Sequence, residues 1–518
     1  MELDADQRRL PKELDNAFRL ARLDHKAVAL LVRNHDDTLF ALASYQLRPL
    51  SSCQPEYLAE ARLGCLDLPG VPAHPRGTGE LNCTLRCLQG LNSIVKYLTR
   101  SRLRIILQYH GASAMAVFQR KDVPLYLAGA AAVTTVVSIR AFEILMAAAL
   151  LALIVTRRRW RLPPVWLPLA LFLLGTLVSL AASGHVREGL PQVRKFYVYL
   201  MLFLVTSAFE TVRQVRWVAL GWALAAALSS LWALQQFLQK YRAAEQAHQD
   251  FYTFYVDARI TGFMGHWMTL GGELMIALLL IGALIFFATD RTWIGWLIAA
   301  ALPVAAALAA TWTRSMWLGA FCGGVYLIWY WKPWTLLILP VLIAFVLLVN
   351  PFSLRERAFS AVSPHAGQTD SNAHRAELRR IGWEMIKAHP WLGVGPEQVS
   401  RQYQNYIRPD MPSPRATEYY GHLENDYLQY AAERGVPTAL ALLWMIGWAL
   451  FDFLRALRRL PPNAAERWIL YAAVAVTIAV LVSGFYSWNL NNSEVLGMFL
   501  AVMGCGYVAV WQAASNRV

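Results

Sequence analysis

Five cations lie beside long apolar stretches of the chain, where ionised side chains are uncommon. Arg187, Arg194 and Lys195 precede one stretch, Arg259 precedes another, and Arg314 begins a third. Ionisable groups near membrane depth are costly and mark substrate or ion paths, although interfacial cations also anchor helices by snorkelling. A guanidinium presents a planar fork of donors that pairs with phosphate oxygens. Arg259 and Arg314 together therefore predict a site for a diphosphate.

A second group of reactive side chains lies in the segment Tyr419-Tyr-Gly-His-Leu-Glu-Asn-Asp-Tyr427. His422 and Asp426 are spaced by one helical turn, so we expect them to share a helix face, with the carboxylate accepting from one ring nitrogen. The other nitrogen would then take a proton from an acceptor hydroxyl. Asn425 and Glu424 are weaker candidates for orienting the ring. The alternative for His422 is an interfacial imidazole with a local hydrogen bond.

The composition indicates a chain solvated by lipid. Of the 518 residues 57% are hydrophobic, and the mean hydropathy is +0.35, whereas the apolar share of soluble proteins is nearer about one half. The net charge of +14 raises the question of nucleic acid, but long uncharged stretches leave the basic residues in loops as topology determinants. We therefore expect membrane lipids, and no nucleic acid, as partners.

The cysteines predict no disulfide framework and no metal site. Four of the six lie in the polar N-terminal part, and the other two lie inside apolar stretches. Cys83 and Cys87 are close in sequence, but no histidine or second close pair completes a tetrahedral set nearby. We expect neither a metal nor a cofactor.

Apolar stretches that approach the roughly 20 residues needed to cross a bilayer recur about twelve times. They predict an all-α polytopic membrane protein with about 12 transmembrane helices. The predicted spans lie near residues 123–139, 141–156, 164–183, 195–209, 214–238, 264–289, 292–311, 315–331, 333–350, 436–454, 467–486 and 494–512.

Clusters of Lys and Arg fall on alternate loops between these spans. By the positive-inside rule those loops are cytoplasmic, and so are both termini. The opposite, external loops include a much longer one, which runs from Pro351 to Arg434 between helices 9 and 10. We expect this loop to be folded and partly helical, with an amphipathic helix from Arg375 to His389 and a turn from Pro409 to Pro414.

The same patterns divide the chain into four parts. Residues 1–115 form a polar cytoplasmic extension, 116–350 hold helices 1–9, 351–435 form the external loop, and 436–518 hold helices 10–12. The extension shows neither a sustained helical period nor clean alternation, and it does not resemble a secretory signal. Two interpretations stay open: an appendage of unknown role, or an upstream segment with Met115 as the native start.

The order of the motifs from about Val123 to the C-terminus resembles the O-antigen ligase and polymerase superfamily of integral membrane glycosyltransferases. Each motif is weak alone, but their order around one large external loop is fairly specific. The motifs are Arg259-Ile-Thr-Gly-Phe263, Thr311-x-Thr-Arg-Ser315, His389-Pro-Trp-Leu-Gly-Val-Gly395, His422-Leu-Glu-Asn-x-Tyr-Leu428 and Glu433-x-Gly435.

The resemblance implies an O-antigen ligase of a Gram-negative inner membrane, with its active site on the periplasmic face. Such an enzyme transfers a polysaccharide from undecaprenyl diphosphate to lipid A-core without nucleotide or metal. The family's phosphate-binding arginines map onto Arg259 and Arg314, and its essential loop histidine maps onto His422. Arg194 or Lys195 would be a further basic contact with the substrate.

Two departures from the family pattern bear on the site. Thr313 stands before Arg314 where the family often has serine, which leaves the cation in place. Leu423 follows His422 where the family commonly has Asn or Ser, so Asn425 is the candidate for that polar role. The residues that we expect to contact substrate, besides His422, Arg259 and Arg314, are Arg187, Arg194, Lys195, Asn425 and Asp426.

The implied mechanism is a single displacement that inverts the anomeric carbon. His422 would deprotonate or orient the acceptor hydroxyl, while Arg259 and Arg314 neutralise the departing diphosphate. The same residues suit an O-antigen polymerase or an O-linked protein oligosaccharyltransferase, and the short C-terminal tail mildly favours the ligase. A transporter of polysaccharide or lipid is the non-enzyme alternative, but no internal repeat or matched pair of broken helices supports it.

Overall fold

The protein divides into two units, Met1–Thr99 and Arg100–Val518. In the first unit, strand β1 (Val28–Arg33) pairs antiparallel with strand β2 (Thr38–Ala43). The predicted turn from Pro409 to Pro414, the four N-terminal cysteines and Met115 lie outside the described residues. The computed structural model describes residues 28–33, 38–43, 122–288, 291–350, 353–359, 371–407 and 421–516.

The described part of the second unit is built from helices, and a helix occupies each of the predicted spans. The first ten are α1 (Val123–Thr134), α2 (Ile139–Val155), α3 (Trp166–Ala182), α4 (Val186–Arg194), α5 (Phe196–Ala208), α6 (Val212–Gln246), α7 (Phe251–Asp257), α8 (Trp267–Phe287), α9 (Ile294–Ala310) and α10 (Arg314–Trp331). The others are α11 (Ile338–Val349), α12 (Leu354–Phe359), α13 (Ser371–Ala388), α14 (Val399–Gln402), α15 (Asp426–Arg434), α16 (Val436–Arg459), α17 (Arg467–Gly484) and α18 (Ser493–Ser515).

Five described helices, α6, α8, α16, α17 and α18, are long and apolar enough to cross a membrane by length and composition. Shorter apolar helices include α1, α3 and α9, and the segment Pro333–Val349 is a further apolar stretch. A short span remains compatible with a bilayer when its flanking residues snorkel. The chain is therefore a helical membrane protein, and the total of about 12 crossings stays a prediction.

The centre of the bundle is formed by α17 and α18. The most apolar 18-residue stretches of these helices are 78% and 83% buried, whereas that of the peripheral α16 is 33% buried. Glycines allow α10 to approach α17 closely. A Cβ at Gly319 would lie 2.7 Å from the carbonyl oxygen of Ala479, and one at Gly323 would lie 2.8 Å from that of Ala475. Small residues at such crossings increase van der Waals contact between membrane helices.

The loop after α11 has a small apolar core of its own. The predicted amphipathic helix is confirmed as α13, and it buries Leu378, Ile381 and Met385. Leu423 joins this core at 1% exposure, and a Cβ at Gly382 would lie 2.7 Å from its Cδ1. An apolar residue directly after His422 thus anchors the segment that carries the histidine.

Candidate functional site

Two glycine-containing turns hold α15 in place at the start of α16. The backbone N–H of Gly395 donates to the carbonyl oxygen of Glu433 over 2.9 Å. Gly435 has φ +81°, and a Cβ there would lie 2.0 Å from the carbonyl oxygen of Trp391. Only glycine tolerates both the positive φ and this close approach. The motifs Trp391–Gly395 and Glu433–Gly435 are therefore structural.

A buried ion pair lies beneath these turns. The Glu433 carboxylate accepts from the backbone N–H of Glu397 at 3.1 Å and from Nε2 of Gln429 at 2.9 Å. Nη2 of Arg434 lies 3.9 Å from this carboxylate and donates to Oε1 of Gln192 at 2.9 Å. Burial raises the pKa of Glu433 to about 7, against the opposing charge of Arg434. The pair links α15 to α4.

His422 lies before the helix that was expected to contain it. Helix α15 begins at Asp426, because Asn425 caps it: Oδ1 of Asn425 accepts from the N–H of Leu428 at 2.9 Å. Asparagine is among the strongest N-cap residues, and it ends the helical conformation on its N-terminal side. The prediction that His422 and Asp426 share a helix face is wrong.

Asn425 and Asp426 were predicted to contact substrate, but both are buried and bonded within the chain. Nδ2 of Asn425 donates to the carbonyl oxygen of Phe485 at 2.8 Å, and Oδ1 of Asp426 accepts from the N–H of Leu490 at 3.2 Å. Burial raises the pKa of Asp426 well above its ordinary value. We propose that this pair positions α15 against residues 485–490 and does not contact the reacting groups of the substrate.

The carboxylate beside the His422 ring belongs to Glu424. Its Oε1 lies 3.6 Å from Nδ1 of His422, and its Oε2 lies 3.8 Å from Nη2 of Arg375 on α13. The histidine side chain is 37% exposed, and its ring centroid is 5.2 Å from that of Trp488. Glu424 has φ +49°, a costly conformation for a residue with a side chain. The surrounding contacts thus hold the carboxylate against the imidazole.

Sequence reasoning ranked Glu424 too low and missed Arg375 and Trp488. Position along a presumed helix favoured Asp426, whereas the segment turns sharply at Glu424. Arg375 lies on the polar side of a recognisable amphipathic helix, which was a weak signal. No local pattern linked Trp488 to a loop that lies far from it along the chain.

Arg259 is held by its neighbours near the start of α8. Its Nε donates to the carbonyl oxygen of Val256 at 2.8 Å, and its guanidinium lies 4.6 Å from the centre of the Trp267 ring. This cation–π contact orients the charge at little entropic cost. The residue is partly exposed, and these two contacts give the cation a defined position.

The Arg259 loop and the His422 segment meet at His266. Burial lowers the pKa of His266, and the charges of Arg259 and of protonated His422 lower it further, whereas Glu424 raises it. Each of these three side chains is therefore within electrostatic range of His266. Two predicted site residues from separate motifs thus both act on His266, a residue that the sequence did not indicate.

Arg314 lies at the first position of α10, close to the same aromatic cluster that supports the Arg259 loop. The ring of Trp312 packs edge-on against Tyr255 at 4.8 Å, and the Tyr255 hydroxyl donates to the carbonyl oxygen of Ala310 at 2.6 Å. Tyr255 lies on α7, which ends just before Arg259. The turn between α9 and α10 is thereby fixed to the loop that carries the other arginine.

The three remaining cations divide into one bound residue and two surface residues. Nζ of Lys195 donates to Oδ1 of Asn491 at 2.7 Å and to its carbonyl oxygen at 3.2 Å. Asn491 belongs to the same short segment as Trp488, so Lys195 binds the segment that also packs against His422. Arg187 and Arg194 lie exposed on α4.

An apolar cavity of about 260 Å³ lies between α15, α16 and α17, next to the His422 segment. It is lined mostly by apolar residues such as Leu440, Leu443 and Ile446, and Asp426 and Tyr427 also line it. Its lining is compatible with a hydrocarbon chain. Within the ranges that the structure describes, no group of three or more His, Cys, Asp and Glu residues is arranged to hold a metal.

Residues 297–443 match a family model described as O-Antigen ligase. The matched region is under a third of the chain and includes Arg314, His422 and the loop between α11 and α15, whereas Arg259 and Lys195 precede it. No curated protein matches the chain significantly. The resemblance inferred from the sequence is thus confirmed for this domain.

Proposed function

Because residues 297–443 match a family model described as O-Antigen ligase, we propose that this protein transfers a polysaccharide from undecaprenyl diphosphate to a sugar hydroxyl of lipid A-core. The reaction takes place on the periplasmic face of the inner membrane. The observation that carries the proposal is a partly exposed imidazole, His422, that is backed by the carboxylate of Glu424. His422 and Arg259 both lie within electrostatic range of the same residue, His266.

His422 is suited to act as the general base. With Nδ1 facing Glu424, its Nε2 lies on the other side of the ring, where an acceptor hydroxyl can approach. The hydroxyl oxygen attacks the anomeric carbon and its proton passes to Nε2. The bond from that carbon to the diphosphate oxygen breaks, and the electron pair leaves with the diphosphate. Glu424 stabilises the imidazolium so formed.

Charge stabilisation of the leaving group falls to Arg259 and Arg314, with Lys195 as a further cation near the same end of the bundle. A departing diphosphate gains negative charge in the transition state, and cations already held in position stabilise it without reorganisation. The cation–π contact with Trp267 and the bond to Val256 hold Arg259 in this way. The reaction needs no metal under this scheme and inverts the anomeric configuration.

Both substrates carry long hydrocarbon chains, and the apolar cavity beside α15 suits such a chain. Peripheral α16, which lines the cavity with Leu440 and Leu443, is largely unburied within the protein. A lipid could therefore enter sideways from the bilayer. This arrangement supports a transferase whose reacting groups lie at the membrane surface.

The test is reconstitution of the full chain in vesicles with undecaprenyl-diphosphate-linked glycan and lipid A-core, in the presence of a chelator. We expect wild type to form glycan-bearing lipid A-core, and His422→Ala and Arg259→Ala to lose at least about a hundredfold in rate, as for removal of a general base or a charge stabiliser. His389→Ala removes an exposed histidine from the same loop and should retain wild-type activity.

Other outcomes of this experiment would refute the role of His422 or favour a different function. Normal ligation by folded His422→Ala would refute the role of the histidine. A donor glycan that grows longer, with lipid A-core untouched, would favour an O-antigen polymerase, and transfer to a protein acceptor would favour an O-linked oligosaccharyltransferase. Movement of the lipid-linked glycan across the vesicle without any new bond would favour a transporter.

A further inference from the structure

His266 lies within electrostatic range of both Arg259 and His422, and the proposed reaction does not yet use it. The residue precedes α8, and its ring is partly covered while part of its surface is exposed to solvent. Its ring centroid lies 4.0 Å from that of Trp267, the same indole that carries the Arg259 guanidinium at 4.6 Å. One aromatic side chain therefore supports both an imidazole and a guanidinium.

The hydrogen bonding of His266 fixes which of its nitrogens carries the proton. Nδ1 accepts from the backbone N–H of Met268 at 3.2 Å and caps α8. A nitrogen that accepts a hydrogen bond carries no proton, so the neutral ring must carry its proton on Nε2. Burial and the charge of Arg259 hold the pKa of His266 below its ordinary value, which favours the neutral ring.

A neutral Nε2–H beside a guanidinium is a donor pair for one anionic group. Arginine binds phosphate through its planar fork, and an adjacent neutral donor adds a hydrogen bond to another oxygen of the same group. A diphosphate has oxygens on two linked phosphorus atoms and can accept from both side chains at once. A hydroxyl or a lone carboxylate offers fewer such acceptors.

We propose that His266 binds the diphosphate of the lipid-linked donor through Nε2–H, next to Arg259. This inference rests on the proposed function for the identity of the donor. It assigns the two histidines different tasks, because His422 handles the acceptor proton while His266 remains neutral and holds the leaving group.

Two substitutions separate diphosphate binding from helix capping. His266→Asn retains a strong N-cap acceptor but has no donor at the reach of Nε2. His266→Gln retains an amide donor at about that reach but is a poor cap. The loss of one hydrogen bond to a charged group weakens binding about tenfold. We therefore expect His266→Asn to bind the diphosphate about tenfold more weakly than wild type while its Tm is unchanged. His266→Gln should bind better than His266→Asn, although its Tm is lower.

The measurement is equilibrium binding of farnesyl diphosphate to the full-length protein in detergent, with farnesol as the control for binding of the hydrocarbon chain alone. Farnesol should bind all variants equally. Wild-type binding by His266→Asn, combined with weak binding and a low Tm for His266→Gln, would assign His266 to helix capping and overturn the inference.

Binding and transfer are measured separately, so the two proposals can fail independently. If wild type binds farnesyl diphosphate in a manner that depends on His266 but transfers no glycan, the inference stands and the ligase proposal fails. If wild type ligates and His266→Asn shows an unchanged Kd for farnesyl diphosphate and an unchanged KM for the glycan donor, the ligase stands and the inference fails.

Discussion

Replacement of Glu433 by glutamine should change how stability depends on pH. The folded protein holds the pKa of Glu433 at about 7, compared with the ordinary value of 4.5. Between these values the folded state keeps a proton that the unfolded chain releases, so the stabilisation present below pH 4.5 is lost as pH rises through 7. The shift lowers the unfolding free energy of the wild type by about 3 kcal/mol between acidic pH and pH 8 to 9.

Glutamine stays neutral and preserves the two hydrogen bonds, because its Oε1 accepts from the N–H of Glu397 and from Gln429 as the carboxylate does. Glu433→Gln should therefore match wild type below about pH 4 and exceed its unfolding free energy by up to about 3 kcal/mol at pH 8. Arg434 keeps its bond to Gln192 at 2.9 Å in the variant.

The assay is unfolding in detergent followed by circular dichroism at several pH values. Glu384→Gln serves as the control, because Glu384 pairs with Lys387 at the surface at 3.1 Å and such pairs contribute about 0–1 kcal/mol. Parallel pH profiles for Glu433→Gln and wild type would refute the reasoning. A variant less stable than wild type at pH 8 would show that Glu433 is ionised and that its pairing with Arg434 outweighs desolvation.

Two further substitutions test the turn and the orientation of the base. Gly435→Ala should lower the unfolding free energy by at least about 2–3 kcal/mol, because it combines positive φ with a Cβ that would lie 2.0 Å from the Trp391 carbonyl oxygen. Gly421→Ala is the control, because a Cβ there meets nothing within 4 Å. Equal Tm values for the two variants would contradict the prediction. Glu424→Gln should reduce the rate of ligation about tenfold, as expected for loss of a group that orients a general base, without lowering Tm; an unchanged rate would mean that His422 acts without this carboxylate.

Local sequence patterns were sufficient to predict the fold class. Hydropathy along the chain locates apolar helices because each helix meets lipid or its neighbours through its own side chains. The helix α13 followed from its amphipathic period, and the cations Arg259 and Arg314 stood out because charge is rare beside apolar stretches. These signals are all contained within about one helix length of sequence.

Which residues contact one another in the site depends on packing between segments that are far apart in the sequence. Asn425 caps the start of α15 and so leaves His422 outside the helix, beside the carboxylate of Glu424 and not on the face of Asp426. Trp488 reaches the imidazole only because α17 is packed at the centre of the bundle, and no spacing in the sequence records that packing. Sequence periodicity can propose which residues are reactive, but the direction of a side chain is set by the turn before it and by the helices packed around it.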